Sequence, residues 1–466
     1  MSLFTVHVSR NLKDSVMYAS KIDTLLETIR KLTRRGAYQN VKKILEKLHA
    51  ADVAYLFRYL NEGEQDKIFG LIADSEIASE ILSQVDTVNS ARLLEKIERG
   101  QAAEILQNMD PDDKVSILED IPEDVREEIL SHLSVSDAES IEEIFQYPED
   151  SAGRIMNTNY FALQEDVTVS EAITEIQKRG AEATEMVFYI YVVDARNHLV
   201  GVCSLRQLIL VPPSTTIMSV MAQDVVSVNA ETDQEDVARL VEKYDFLAVP
   251  VTDDDNKLLG IVTVDDVIDV IRHEATEDIM KMVGTGDEYL NRSVFRRARM
   301  RMPWMLAAFI GEVIGIQFLN MYNVTLDKIV ALAFFLPIII AMGGNIGATS
   351  MTIVVRGLAT GRIAVKQLRL VILKELSVAL LLGIVYGLVL MGLAYLQFGG
   401  VSYLGFVVGL SMLISMLMAA AIGTLMPIIL HLLKVDPAVA TGPFVTSTVD
   451  SLGILIYMGL ATAILL

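Results

Sequence analysis

Residues 329–355 read IVALAFFLPIIIAMGGNIGATSMTIVV, a stretch without a single charged side chain. A helix of this length is long enough to cross about 30 Å of hydrocarbon. Four further apolar runs of similar length lie nearby, at residues 303–322, 371–398, 405–431 and 447–466. The sequence therefore predicts an all-α membrane domain of five spans over residues 302–466.

The formal charge is divided unevenly between this region and the rest of the chain. Residues 301–466 carry +3, whereas residues 1–300 carry −24. Such an acidic region does not suit the phosphate backbone of nucleic acids, so we expect no nucleic-acid partner. It suits the binding of cations, although acidity for solubility is the alternative explanation. The single cysteine, Cys203, excludes an intrachain disulfide framework.

Basic residues predict how the spans are oriented. They cluster ahead of the first span and between the second and third spans, as Arg292, Arg296, Arg297, Arg299 and Arg301, and as Arg356, Arg362, Lys366, Arg369 and Lys374. Positive charges next to spans face the cytoplasm. Since the N-terminus lacks a signal segment, insertion is expected to depend on these spans. The prediction is a multi-pass protein of the cytoplasmic (inner) membrane, with the N-terminus in the cytoplasm and the C-terminus outside.

An apolar residue recurs every twelve positions in the acidic region, at Leu45, Phe57, Phe69, Ile81, Leu93, Ile105, Ile117 and Ile129. The linking turns, such as Asp110-Pro111-Asp112-Asp113, place proline just inside a helix and acids in its first turn. Helices this short must bury their apolar stripe against neighbours. Residues 1–150 are therefore predicted to form an acidic, superhelical α-helical domain.

A second repeat follows over residues 151–272. Met156, Ala172 and Leu199-Val200-Gly201 have counterparts in Met221, Val237 and Leu258-Leu259-Gly260. Each copy is predicted to contain a helix, two strands and another helix, with residues 253–257 as a hairpin connection. The pattern resembles a tandem pair of α/β CBS modules, a fold that pairs internally and again between subunits. Residues 273–301 then form a connecting helix, interrupted near Gly284-Thr285-Gly286, that leads directly into the first span.

Two stretches of the membrane domain carry chemistry. Pro337 and Gly343-Gly344-Asn345-Ile346-Gly347 predict an interrupted or loosened helix, which is tolerated at membrane depth where it packs in protein or lines water. A glycine-mediated helix contact is the alternative.

The second stretch is the hydroxyl-rich start of the last span, Thr446-Ser447-Thr448-Val449-Asp450-Ser451. Inserting a carboxylate at the middle of a membrane helix costs about 2.5–3.5 kcal/mol, so a functional role for Asp450 is expected. A hydrated magnesium ion held by one or two carboxylates supplies one; capping of the last helix is the alternative. Glu312 and Glu375 are weaker candidates, and Glu375 follows Lys374, as in a peripheral ion pair.

Together these features resemble the MgtE-type magnesium channels. The resemblance rests on the domain order, on residues 147–156 (YPEDSAGRIM), on Gly343-Gly344-Asn345-Ile346-Gly347 and on Asp436-Pro437-Ala438 through Asp450. It implies a homodimer with the pore on the dimer axis and a cytosolic part, including a plug helix, that closes the pore when internal Mg²⁺ is high.

The resemblance also implies roles for residues of the membrane domain. Asp450 matches the pore carboxylate, Asn345 the asparagine of the glycine-rich stretch, and Asp436 an acid near the cytosolic mouth. Two positions depart from the family pattern: Thr349 stands where glutamine is usual, and Gly442 where asparagine can stand. Fewer side-chain amides would therefore line the path.

The resemblance places a magnesium sensor on the cytosolic acids Asp233, Glu235, Asp245, Asp266, Asp269, Glu274, Glu277 and Asp278. Carboxylates packed across domain faces repel one another, and cations between them favour a compact state. Asp266, Asp269 and Glu277 share one helical face if the helix continues past Arg272. Each acid alone could equally be a solvated surface charge. The sequence does not choose among Asp110, Asp113, Asp120 and Asp124 as further members.

CBS modules often bind adenosine nucleotides through a hydroxyl and an acid on a strand-to-helix turn. Thr263 and Asp266 fit this turn in the second copy, whereas the first copy has Ser204 followed by Gln207, so one ATP-type site is expected.

The predicted function is Mg²⁺ entry driven by the membrane potential, which supplies about 4.6 kcal/mol per divalent ion at 100 mV. A Na⁺- or H⁺-coupled divalent-cation transporter and a nucleotide-sensing membrane scaffold are the alternatives. An enzyme is not expected, because no nucleophile–base pair or phosphate loop appears in the sequence.

Overall fold

The computed structural model describes residues 24–179, 188–282, 294–361, 363, 367–399, 403–437 and 442–466. The chain divides into two compact units, Met1–Ile268 and Asp269–Leu466, and each is described by itself below. The predicted domain boundaries at residues 150, 272 and 301 remain predictions.

From residue 24, where its description starts, the first unit shows ten short helices up to Phe145. They are α1 (24–34), α2 (Tyr38–Leu45), α3 (Ala50–Phe57), α4 (Glu62–Phe69), α5 (Ser75–Gln84), α6 (Thr87–Lys96), α7 (Arg99–Gln107), α8 (Pro111–Glu119), α9 (Glu123–Leu130) and α10 (Val135–Phe145). All eight residues of the twelve-residue repeat are buried. Side-chain caps start several of these helices; Asn61, for example, makes a reciprocal capping box with Glu64. The predicted helical array is confirmed.

The rest of this unit is the predicted pair of α/β modules. The first contains β1 (Ala162–Gln164), α11 (Val169–Arg179), β2 (Tyr189–Val193), β3 (Leu199–Ser204) and α12 (Leu205–Leu210); the second contains β4 (Val228–Asn229), α13 (Gln234–Tyr244), β5 (Ala248–Thr252), β6 (Leu258–Thr263) and α14 (Val264–Met282). Each forms a three-stranded sheet, in the orders β1-β2-β3 and β4-β5-β6, with one parallel and one antiparallel pair. The hairpin predicted at residues 253–257 joins β5 to β6.

Met156 and Met221, the methionines that mark the two copies, each pack on the sheet of the other copy, which the sequence does not show. Met221, which begins the second copy, packs on Gly201 of the first sheet, and Met156, which begins the first copy, packs on Gly260 of the second sheet. Asn157 also bridges to Ile261 of β6 through backbone hydrogen bonds in both directions. The start of each copy therefore packs on the sheet of the other copy.

Helix α14 continues past Arg272, as predicted, and is described as far as Met282; its residues from Asp269 on belong to the second unit. The predicted interruption at Gly284-Thr285-Gly286 and the basic residue Arg292 lie outside the described residues, as do Arg362 and Lys366.

The second unit contains α15 (Val294–Met321), α16 (Asn323–Lys328), α17 (Ala331–Ala359), α18 (Leu368–Phe398), α19 (Leu404–Leu432) and α20 (Gly442–Leu465). Five of the described helices are long and apolar enough to cross a membrane: Arg297–Met321, Ala331–Ala359, Leu368–Phe398, Leu404–Leu432 and Phe444–Leu465. Their number matches the sequence prediction, and their ends differ from it by a few residues. The buried core includes Tyr457, whose hydroxyl donates a 2.9 Å hydrogen bond to the Leu332 carbonyl.

The predicted interruption of the second span is wrong, because α17 runs without a break through Pro337 and Gly343–Gly347. The glycines serve close helix packing instead. A Cβ on Gly423 of α19 would collide with the Gly347 carbonyl, so the two backbones nearly touch. The proline removes one backbone donor, and the neighbouring turns keep the helix intact.

Candidate functional site

Helices α15 and α20 pack along a line of small residues. Gly311 lies directly against Ser447, and Gly315 lies against Ser451. Ser451 Oγ donates to the Gly311 carbonyl at 3.2 Å. These contacts fix the register between the first and last spans.

This register places Glu312 beside Asp450. The two carboxyl groups are within hydrogen-bond reach, although 138 residues of sequence separate them. Asp450 Oδ1 also lies 3.5 Å from where a Cβ on Gly344 would stand, so a carboxylate, a glycine-rich backbone and a second carboxylate converge from three spans. The sequence marked Glu312 only as a weaker candidate, because nothing local links it to Asp450.

Asn345 follows Gly344 and lies on an exposed side of α17. The hydroxyl of Thr349 donates to the Asn345 carbonyl at 2.7 Å, so it serves the helix backbone. Ser350 Oγ donates to Glu375 Oε2 at 2.7 Å, which gives Glu375 a partner on α17. The sequence suggested a peripheral ion pair between Glu375 and Lys374, whereas the structure shows Glu375 in a hydrogen bond between α18 and α17.

A second group of charges surrounds Lys281, near the end of α14. Lys281 Nζ lies 2.7 Å from Glu277 Oε1 and 3.0 Å from Asp436 Oδ2. Burial raises the pKa of Asp278, and the neighbouring Asp436 raises it further. Burial lowers the pKa of Lys281, but its hydrogen bonds to Glu277 and Asp436 outweigh burial and raise it overall. The structure thus brings together Asp436, Glu277 and Asp278, which the sequence assigned to separate roles.

The end of α14 lies against the helices that carry Asn345 and Asp450. A Cβ on Gly442 would collide with the Met282 carbonyl, which explains why this position has no larger side chain. Met282 also packs against an apolar cluster formed by Met351, Val355, Ala419, Val445 and Val449.

A third group of carboxylates lies within the first unit, where α8 meets the start of α14. Asp112 and Asp266 are within hydrogen-bond reach, and Asp110, Asp113 and Asp265 add their charges. Burial raises the pKa of Asp113 to about 7 and that of Asp266 to about 6, and neighbouring carboxylates add to both shifts. Asp112 Oδ1 is buried and, among the described residues, has no hydrogen-bond partner. Of the four acids that the sequence left open, Asp110 and Asp113 lie here, whereas Asp120 lies near Glu119.

Three of the other predicted sensor acids, Asp233, Glu235 and Asp269, have local partners. Asp233 caps α13 by accepting from the Glu235 amide at 2.8 Å, and Glu235 pairs with Arg239. Asp245 ends that helix with a left-handed backbone (φ 54°). Asp269 is 81% exposed and pairs with Arg272 at 3.4 Å, as a solvated surface charge does. Glu274 is half-buried on α14.

The two strand-to-helix turns of the modules differ. Thr263 donates its hydroxyl hydrogen bond to Asp266, whose neighbours are the carboxylates of the third group. A phosphate chain would be repelled there. The turn after β3 instead opens onto a cleft of about 660 Å³, lined by Phe188, Tyr189, Ser204, Leu205, Arg206, Ile209, Leu210 and Leu247. The sequence missed this cleft because it took the absence of an acid at Gln207 as evidence against a site.

Across the described ranges, no three His, Cys, Asp or Glu side chains form a ready set of metal ligands.

Comparisons with known proteins agree with this division of the chain. Residues 48–150 match the MgtE intracellular N domain, residues 152–214 and 217–273 match the CBS domain, and residues 336–460 match the MgtE divalent cation transporter model. The chain is 36% identical to the magnesium transporter MgtE of Bacillus subtilis over 95% of its own length and 97% of the relative. The chain belongs to the MgtE family.

Other MgtE relatives agree. The magnesium transporter MgtE of Enterococcus faecalis is 37% identical, over 94% of this chain and 96% of that protein. The solved cytosolic domain of the Mg²⁺ channel MgtE in complex with ATP is 33% identical, covers 53% of this chain and 99% of that one, and has a TM-score of 0.50. Membership in a family of transporters, together with five apolar helices, makes this a multi-pass membrane protein and not an enzyme.

Proposed function

We propose that this chain admits Mg²⁺ across the cytoplasmic membrane, down the membrane potential, and that cytosolic Mg²⁺ closes the path. The observation that carries the proposal is Asp450, a carboxylate within an apolar span that faces the Gly344 backbone and neighbours Glu312. Two carboxylates and backbone oxygens attract a hydrated divalent ion without stripping its water. The magnesium transport of the relatives supports the choice of ion.

A homodimer is part of this proposal. Glu312 and Asn345 lie on exposed sides of their helices within the single chain, at membrane depth where an exposed polar group is unfavourable. A second copy facing these residues would enclose them and complete a path on the dimer axis. The basic residues Arg297, Arg299, Arg301, Arg356 and Arg369 support a cytoplasmic position for the N-terminus, so that five spans leave the C-terminus outside.

The gate in this proposal consists of two of the charged groups. Cations at the Asp112–Asp266 group would hold the helical domain against the second CBS module. Cations at Asp278 and Asp436 would hold the last described turns of α14 against the segment between α19 and α20. Burial raises the pKa values of Asp113 and Asp266, and neighbouring carboxylates raise them further. The buried Asp112 Oδ1 has no hydrogen-bond partner among the described residues, and Lys114 is the cation that interacts with Asp110 and Asp112. Asp233, Glu235, Asp245, Asp269 and Glu274 remain proposed members of the sensor.

The Asp112–Asp266 group predicts how stability depends on pH. The unfolded chain has ordinary carboxyl pKa values near 3.8, whereas Asp113 and Asp266 have values of about 7 and 6 when folded. A raised folded-state pKa favours the folded state at low pH, and this advantage is lost as pH rises from about 4 to about 7. We therefore expect the first thermal unfolding midpoint of the full chain, in detergent with EDTA, to fall over that range.

At pH 8, millimolar Mg²⁺ is expected to raise the same midpoint by several degrees, on the order of what 1 kcal/mol gives. Asp112→Asn should remove most of this gain, and Asp124→Asn, an exposed acid of the same domain, should retain it. An equal Mg²⁺ response in both variants would contradict a cation site at this group. Circular dichroism melting curves make the measurement.

For the nucleotide we propose the cleft of the first module in place of the Thr263–Asp266 turn. Tyr189 offers an aromatic face and Arg206 a cation for phosphates, whereas the other turn is ringed by carboxylates. ATP on the cytosolic domain of a relative supports a nucleotide in this region.

Arg206→Ala is expected to weaken ATP binding by about tenfold or more, because charge-assisted hydrogen bonds contribute about 1.5–3 kcal/mol. Arg239→Ala, which removes a cation already paired with Glu235 in the second module, should bind ATP normally. Calorimetric titration of the full chain with ATP compares the two. If Thr263→Val loses binding while Arg206→Ala retains it, the nucleotide lies at the second module.

A further inference from the structure

Lys281 links two segments of the second unit. Its Nζ lies 2.7 Å from Glu277 on the same helix and 3.0 Å from Asp436, which belongs to the segment between α19 and α20. The Lys281 side chain is 30% exposed and that of Asp436 is 36% exposed, so solvent screens the pair only in part. This ammonium therefore joins the end of α14 to the segment that precedes the last span.

Three carboxylates share the charge of Lys281. Asp278 lies close enough to Asp436, Glu277 and Lys281 to interact with all three. Of the described charges that act on Asp278, Lys281 is positive and Asp436 and Glu277 are negative, so the carboxylates of this group repel one another. Removing the ammonium would strengthen this repulsion across the contact between α14 and Asp436.

The same contact sets the position of Met282. Met282 follows Lys281, its carbonyl lies against Gly442, and its side chain packs against the cluster that contains Val445 and Val449. Val449 precedes Asp450, so movement of the α14 end changes the packing beside the pore carboxylate. The link from Lys281 to the path is thus a chain of direct contacts.

We propose that Lys281 is a built-in counter-cation of the gate, whose ammonium holds α14 against Asp436 and so sets the cytosolic Mg²⁺ concentration that closes the path. The inference rests on the proposed function. Lys281 neutralises part of the carboxylate group at all times, and Mg²⁺ neutralises the remainder. The lysine therefore lowers the amount of Mg²⁺ that closure requires.

The test compares Lys281→Gln with wild type in excised membrane patches, with Mg²⁺ titrated on the cytosolic face. We expect the half-closing Mg²⁺ concentration to rise about fivefold, as for the loss of a partly screened ion pair. Lys281→Arg should stay within about twofold of wild type, because it keeps the charge. Lys178→Gln, which removes a 3.9 Å surface pair with Glu175 in the first module, is the matched control and should change nothing.

Asp436→Asn supplies a second comparison, since it removes the partner and leaves the lysine. If the two side chains act through each other, the shift in the Lys281→Gln, Asp436→Asn double variant is smaller than the sum of the single shifts. Additive shifts, or closure of Lys281→Gln at wild-type or lower Mg²⁺, would overturn the inference.

A cross-linking measurement separates this inference from the proposed function. Cysteines at Met282 and Val445, in a Cys203→Ser background, report the α14 contact directly through a short thiol cross-linker. Lys281→Gln is expected to slow cross-linking about fivefold and Lys281→Arg to leave it unchanged. Loss of Mg²⁺ flux or closure in wild type, with the cross-linking result intact, would refute only the channel proposal. Unchanged cross-linking in Lys281→Gln would refute the role of the lysine.

Discussion

Replacing Asp450 by alanine is expected to lower Mg²⁺ flux into reconstituted vesicles by about 100-fold. A hydrated divalent ion about 5 Å from a carboxylate, at an effective dielectric constant of about 40, is attracted by about 3 kcal/mol, and the variant forfeits this attraction. Asp450 faces the Gly344 backbone within an apolar span, and α20 carries no second charged side chain that could replace the Asp450 carboxylate. Flux is measured with a Mg²⁺-sensitive dye inside the vesicles under an imposed membrane potential.

Glu375→Gln is the matched control, since Glu375 is also a carboxylate within a span but bonds to Ser350 instead of neighbouring Asp450. It should retain most of the flux. Glu312→Gln should give a partial loss, because Glu312 adds its charge beside Asp450. Normal flux in a folded Asp450→Ala protein would refute the pore assignment. Flux in wild type that requires a proton or sodium gradient would indicate the coupled transporter instead.

Neutralising Glu274, Glu277 and Asp278 together is expected to leave the path open at millimolar cytosolic Mg²⁺. The closed contact depends on positive charge between α14 and Asp436, supplied by Lys281 and, in our proposal, by Mg²⁺. Without Glu277 and Asp278 the cation loses the α14 carboxylates that lie near Asp436. Single-channel recordings over a range of cytosolic Mg²⁺ measure the open fraction.

Glu242→Gln serves as the control for this variant, because Glu242 is an exposed carboxylate on α13 that lies outside the proposed sensor. It should close at the wild-type Mg²⁺ concentration. Unchanged closure in the triple variant would place the sensor elsewhere. Closure of that variant without Mg²⁺ would also contradict the bridge, since it would mean that the acids act only by mutual repulsion.

Patterns that repeat locally predicted most of the architecture. The twelve-residue spacing, the two α/β copies and the five apolar runs each correspond to observed elements, because a stripe of apolar residues can be buried in few ways. The interruption predicted at Gly343–Gly347 was wrong for the same local reason. Glycine residues make an isolated helix more flexible. In this protein, α19 packs so closely against Gly347 that α17 keeps its helical conformation.

The site was predictable only one residue at a time. Asp450, Asp436, Asp266 and Glu277 stood out as acids in informative places, and Glu312 as a weaker candidate. Nothing in the sequence paired Glu312 with Asp450, and Lys281 and Asp112 are ordinary residues in their own stretches of sequence. The nucleotide turn was chosen from a motif, and the structure surrounds that turn with carboxylates.

By itself, then, the sequence determined the helical array, the two CBS modules, the five spans and which spans hold carboxylates, because hydrophobic periodicity acts over a few turns of chain. Only the tertiary structure decided which charges meet. Glu312 reaches Asp450 through the Gly311–Ser447 contact, and Lys281 reaches Asp436 through the packing of Met282. Such pairs join residues more than a hundred positions apart, and close packing of helices, which no local pattern encodes, sets the distance between their charges.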